Sequence, residues 1–162
     1  MVAERLHQSA VAAASAPDLY SVLGVPDTID GRFELLTLHT ILLVERLSAA
    51  GVAAADLRQA LFDAYISHLD GAMREMGVGD LAMGKRMRKL GEAFYGRAAS
   101  YRAAFAVLPD NVPLESVVAR TVLNGAKSSA GPLANYVARS YAALAARPVD
   151  EMLDGARNWP AP

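Results

Sequence analysis

The 162-residue chain carries 16 Lys and Arg against 17 Asp and Glu, a formal net charge of -1. No overall field therefore holds it to DNA or to an anionic surface, and any electrostatic function must come from local segregation of charge. With no Cys, 53% hydrophobic and 20% charged residues, the composition excludes disulfide and thiolate chemistry, fits a reducing compartment, and suffices for one globular domain over residues 1–162.

The opening MVAERLHQSAVAAASAP has Glu4, Arg5 and His7 ahead of a weakly apolar Ala run. It lacks the apolar centre of a signal peptide and the Arg-rich, acid-poor character of a transit peptide, so the chain reads as a bacterial cytoplasmic protein. Strand-like alternation is almost absent, and turn residues divide the chain into helical lengths. The expected fold is all-α, a single compact bundle of about six to seven helices. A first helix is predicted from about Ala3 to Ser15, followed by a Pro-bounded connection, DLYSVLGVPDT. The second runs from Asp30, as N-cap, to Ala49, and the third from about Ala54 to Met76, stopping at Gly77. The fourth starts with Asp80, whose carboxylate suits the positive helix end, and continues to about Phe105. Pro109 and Pro113 mark a break. A fifth helix, Pro113 to Leu123, ends at Asn124-Gly125, and a sixth, Pro132 to Ala146, ends before Pro148, each with Pro in the tolerated first turn. A short last helix is placed near Asp150 to Ala156.

The second helix is apolar around most of its circumference and should be the largely buried centre of the bundle. Its uncharged run, Leu35 to Val44, is well short of the roughly 20 residues that a bilayer requires. Arg32, His39 and Arg46 form a basic line on it and Glu34 and Glu45 an acidic one, and both lines are expected to reach solvent or partners. On the fourth helix, Met83, Met87, Leu90, Phe94, Tyr101 and Phe105 fall in a stripe that should face the core. Away from that stripe the helix is basic: residues 79–105 hold Lys85, Arg86, Arg88, Lys89, Arg97 and Arg102 against Asp80 and Glu92. Lys85, Arg86, Lys89 and Arg97 are expected in solvent. Gly84, Gly91 and Ala98 repeat every seven residues as a small-residue seam for another helix, since each Gly costs about 1 kcal/mol against Ala in a helix.

The basic face reads either as a solvated surface or as a contact for an acidic partner, ribosomal RNA or lipid head groups. Met73, Met76, Met83 and Met87 read first as core and alternatively as an adaptable groove for a client helix. Only Glu4 and His7 have the Glu-x-x-His spacing, so metal ligation is not expected. There is no G-x-S-x-G elbow, no dinucleotide fingerprint after a strand and no Walker A sequence, so no enzymatic constellation is legible.

The string Asp70, Met73-Arg74-Glu75, Gly77-Val78-Gly79-Asp80, Lys85, Met87-Arg88 and Phe94-Tyr95-Gly96-Arg97 resembles the ubiquinol-cytochrome c chaperone family. Leu23-Gly24-Val25-Pro26-Asp27-Thr28, Asp30-Gly31-Arg32-Phe33 and Leu38-His39 resemble the family's opening segment. VVARTVLNG and PLANYVARSYAAL resemble its closing part more loosely, and the resemblance spans about residues 18–147. It implies a non-enzymatic assembly chaperone of the cytochrome bc1 complex, without a cofactor, whose client is newly made cytochrome b. It also implies a small partner chaperone and a contact near the ribosome, and with them peripheral placement at the inner face of the cytoplasmic membrane. The family-motif positions are His39, Asp70, Arg74, Gly77, Gly79, Asp80, Phe94 and Tyr95, and the expected partner face is Lys85, Arg86, Arg88, Lys89 and Arg97. The alternative reading is an all-α carrier of an apolar ligand such as an isoprenoid quinone or haem, in which Met and aromatic side chains line a deep tunnel.

Overall fold

A computed structural model describes residues 1–153 and 159–162. Among these, eight α-helices and one 3-10 turn form and there is no strand. They are α1 (Val2–Ala14), α2 (Pro17–Ser21), α3 (Ile29–Ala49), a 3-10 turn (Gly51–Ala54), α4 (Ala55–Glu75), α5 (Asp80–Phe105), α6 (Val112–Arg120), α7 (Ala130–Ala145) and α8 (Val149–Leu153). The all-α expectation holds. Residues 154–156 of the expected last helix lie outside the described residues.

The near-continuous apolar circumference of α3 makes it the centre. It packs against α1, α4, α5 and α7, while α6 packs on α5 and α7. Leu35, Leu38, Ile41, Leu43 and Leu47 are fully buried, and the polar groups carried in with them are satisfied. The Thr37 hydroxyl lies 2.8 Å from the Phe33 carbonyl oxygen and 2.8 Å from the Tyr65 hydroxyl, and Thr40 donates to the Leu36 carbonyl at 2.8 Å. Around this centre, α1 contributes Leu6, Ala10 and Ala14 at four-residue spacing and α7 contributes Leu133, Val137 and Leu144.

Two local predictions are corrected. The N-cap of α3 is Thr28, not Asp30: the Thr28 Oγ1 accepts the Gly31 N–H at 3.1 Å, and the exposed Ile29 already stands inside the helix. The opening motif thus works as a helix start. A Cβ on Gly31 would lie 2.0 Å from the Pro26 carbonyl oxygen, so only glycine lets the preceding loop fold this closely onto the helix. The connection before it contains α2, whose Pro17 sits in its first turn and whose Leu19 is fully buried. Its five residues are too few for a periodic pattern to register.

Candidate partner-binding surface

The sequence string from Asp70 to Asp80 folds into the turn that joins α4 to α5. Gly77 takes a left-handed φ of +88°. Its N–H reaches the Arg74 carbonyl at 3.0 Å and the Val78 N–H reaches the Met73 carbonyl at 3.1 Å, closing α4 with a Schellman motif. Arg74 ties the two helices across this turn, pairing with Asp70 at 2.9 Å and with Asp80. Asp80 also stands in the first turn of α5, where its charge favours the helix N-terminus. Four of the motif positions are therefore one device that sets the angle of a helical hairpin. Gly79 has an ordinary φ of -78° and open space at its Cβ, and nothing in the structure demands glycine there.

That hairpin extends past the main core as an arm. The core cluster stops at Leu69 on α4 and at Phe94 on α5, with Met87 and Leu90 half-buried against it. Beyond these, Met73 and Met83 are buried apart from that cluster, while Met76 is exposed and Leu81 fully so. The methionines thus divide between core, a small satellite contact and solvent. A cleft of about 550 Å³ opens along the arm, lined by Met73, Leu81, Ala82 and Leu90 and rimmed by Lys85, Arg86 and Lys89.

The predicted basic face is split by the fold. Lys85, Arg86, Arg88 and Lys89 are exposed, and among the described residues they have no ion-pair or hydrogen-bond partner. Arg97 is a correction to the expected solvent-exposed set. It is half-buried, donates two bonds from Nε to the Glu34 carboxylate at 2.7 and 3.0 Å and a third from Nη2, and lies over the Phe33 ring at 5.9 Å. The Glu34 partnership raises the guanidinium pKa above its ordinary value. Arg102 is likewise bound, to Glu45 at 2.7 Å. The acidic line of α3 therefore neutralises the C-terminal cations of α5 and leaves the N-terminal four free.

The basic line of α3 is also corrected. Arg32 reaches solvent and pairs with Asp27 at 2.8 Å, and Arg46 donates to the Leu144 carbonyl in the last turn of α7 and to the Arg147 carbonyl just beyond it. His39 is fully buried. Its Nδ1 lies 2.7 Å from the Leu35 carbonyl and so carries the proton, leaving Nε2 to accept from the Tyr136 hydroxyl at 2.7 Å. Burial lowers its pKa from 6.5 to about 4, so it enters the core as a neutral ring, not as a cation. Trp159 packs edge-on against that ring at 5.1 Å and donates its Nε1–H to Ser9 at 2.7 Å, fastening the C-terminal residues to α1 and α3. The sequence signal for this contact was only that Trp159 is the sole Trp.

Phe94 and Tyr95 separate as well. Phe94 is buried against Tyr65 and Phe62 at 5.1 and 5.0 Å, whereas Tyr95 is exposed beside Phe62 at 5.6 Å. These aromatic rings pack against one another edge-on or tilted and do not line a tunnel. Gly84 and Gly91 of the small-residue seam have nothing within 4 Å of an added Cβ, so among the described residues no other helix packs there. A second cleft, about 590 Å³, opens at the surface between α1, α2 and the start of α3, and includes Tyr20, Asp27, Arg32 and His68. Among the described residues no cluster of three or more His, Asp or Glu side chains is placed to hold a metal ion, and no helix is long and apolar enough to cross a membrane.

Comparison with known proteins decides the family. The family model described as ubiquinol-cytochrome C chaperone matches residues 21–159. The chain belongs to the ubiquinol-cytochrome c chaperone family. Among solved structures, the crystal structure of the Cbp3 homolog from Brucella abortus is similar with a TM-score of 0.89 and 30% sequence identity, covering 99% of this chain and 89% of that one. A search of the curated proteins gives no match. The matched span includes both the turn from Asp70 to Asp80 and the helix start at Thr28.

Proposed function

We propose that this chaperone assists assembly of the cytochrome bc1 complex by holding newly made cytochrome b, without catalysis, and that the α4–α5 arm is the client surface. Family membership supports the assembly role. The observation that carries the choice of surface is the contrast within α5. Its C-terminal cations are consumed by Glu34 and Glu45, while Lys85, Arg86, Arg88 and Lys89 stand unpartnered beside a cleft with an apolar floor of Met73 and Leu90 and the exposed Leu81 and Ala82 at its edge. An apolar floor with a cationic rim suits a segment that has one apolar face and an acidic flank. Met73 gives the floor a side chain able to adapt to different contacts.

Such a client places the protein at the inner face of the cytoplasmic membrane. A small partner chaperone or a ribosomal contact would use other surfaces, among which the exposed Tyr95 beside Phe62 is suited to a protein partner. Deleting the gene and measuring assembled bc1 complex together with spectroscopic haem b tests the assembly role, with loss of both expected. Normal levels under respiratory growth would overturn it. Purifying the tagged protein from its own cells tests the client: cytochrome b is expected among the bound proteins, and a soluble metabolic enzyme in its place would contradict the reading.

A further inference from the structure

We propose that the tip of the α4–α5 arm seats directly on an anionic lipid bilayer, with Leu81 entering the interface and the cations behind it lying against lipid phosphates. The biological setting rests on the proposed client, but the lipid contact itself does not.

The tip pairs exposed apolar side chains with a run of unpartnered cations. Leu81 is 105% exposed and Met76, at the end of α4, is 54% exposed, so the end of the arm carries apolar side chains with no cover. Leu81, Lys85, Arg88 and Lys89 then follow at i, i+4, i+7 and i+8, which places them on one face of α5, turned away from the stripe of Met83, Met87 and Phe94 that faces the molecule. No acid interrupts residues 81–91, and Asp80 is occupied by Arg74. An apolar end backed by lysines and arginines is the arrangement that binds a membrane surface, by burial of the apolar side chain and attraction to anionic head groups. No described helix is able to cross a bilayer, so a contact made by these residues lies at the surface.

The same cations would attract RNA phosphates, but RNA offers nothing to a fully exposed Leu81, and the arm's exposed aromatic, Tyr95, lies on α5 about four turns from Leu81, too far to stack a base bound at the tip. Val52 is an internal comparison. It is 92% exposed in the 3-10 turn that precedes α4, at the end of that helix remote from the arm's turn, and no comparable run of cations follows it.

Because the chain has no Cys, Leu81→Cys and Val52→Cys each provide a single site for an environment-sensitive fluorophore on the full-length protein. With phosphatidylglycerol-containing vesicles the label at 81 is expected to shift to the blue and the label at 52 to stay unchanged. Pure phosphatidylcholine vesicles should give no shift, and added salt should reverse the one seen. The combined change Met76→Ser and Arg88→Glu, neither residue lining the cleft beside α5, should weaken vesicle binding about tenfold or more without altering circular dichroism. No shift with either vesicle, a shift at 52, a shift of equal size on neutral lipid, or a shift with polyuridylate in place of vesicles would each overturn the proposal. If the vesicle experiment fails while cytochrome b still co-purifies, the lipid contact falls and the client reading stands. If vesicles bind but cytochrome b is absent, the reverse holds.

Discussion

The body around α3 and the arm formed by α4 and α5 treat charge and polarity in opposite ways. In the body, the polar side chains that α3 carries to the core are matched: His39 by Leu35 and Tyr136, Thr37 by Tyr65, Glu34 by Arg97, Glu45 by Arg102. In the arm, Lys85, Arg86, Arg88 and Lys89 are left without partners among the described residues, and Leu81 is left without cover. Matching is what stability requires, because an unsatisfied buried group costs about 1–3 kcal/mol. Leaving a surface unmatched costs little in water and keeps it available to another molecule. Substitutions in the body should therefore act on folding, and those in the arm on recognition.

The largest expected effect is at His39. His39→Ala removes two buried hydrogen bonds and a ring that packs against Trp159 and Tyr136, which should cost about 3–4 kcal/mol in chemical denaturation. A loss below about 1 kcal/mol would mean that the body is not organised around this residue. Acid should act on the same group. The unfolded imidazole takes up a proton near 6.5 while the folded one, depressed by burial, resists until about 4, so stability is complete above about pH 6.5 and falls as the pH drops through that window. The total is on the order of 3 kcal/mol. His7, lowered by burial first and by the nearby His68 second, adds a loss of the same sign. Denaturation midpoints measured across this range should slope downward with acid, and more gently in His39→Gln. Next in size is Tyr136→Phe, which leaves the His39 Nε2 without a donor and should cost about 1–2 kcal/mol.

Much of this division was legible in the residues, and the failures have physical causes. The bounds of α5, Asp80–Phe105, follow from a turn residue and an acid at one end and Pro109 soon after the other, signals that are local in the chain. The buried centre at α3 follows from an apolar pattern with few gaps. Arg97 was misplaced because its partner, Glu34, lies 63 residues away on another helix, and a helical wheel sees only neighbours on its own helix. His39 was assigned to a charged line because periodicity does not distinguish a cation from a neutral ring with both nitrogens satisfied. The string pointed to the family that the comparison shows, whereas its work as a Schellman turn and an Asp70–Arg74–Asp80 tie required the backbone.

At the boundary between body and arm, Gly77→Ala should cost about 1–2 kcal/mol, since its φ of +88° strains any residue with a Cβ. Gly79→Ala, with ordinary φ and free space, should change stability by less than about 0.5 kcal/mol. Equal effects at the two glycines would remove the turn as the device that aims the arm.

The smallest expected effect on folding carries the most weight for function. Lys85→Glu combined with Lys89→Glu reverses two exposed, unpartnered charges on the rim of the arm's cleft and should change stability by about 0.5 kcal/mol or less. Introduced in place of the wild-type gene, with melting temperature and circular dichroism measured on the purified protein, the double variant is predicted to fold normally and yet to lower assembled bc1 complex and haem b. Full complementation by a normally folded variant would contradict the assignment of the arm as the client surface.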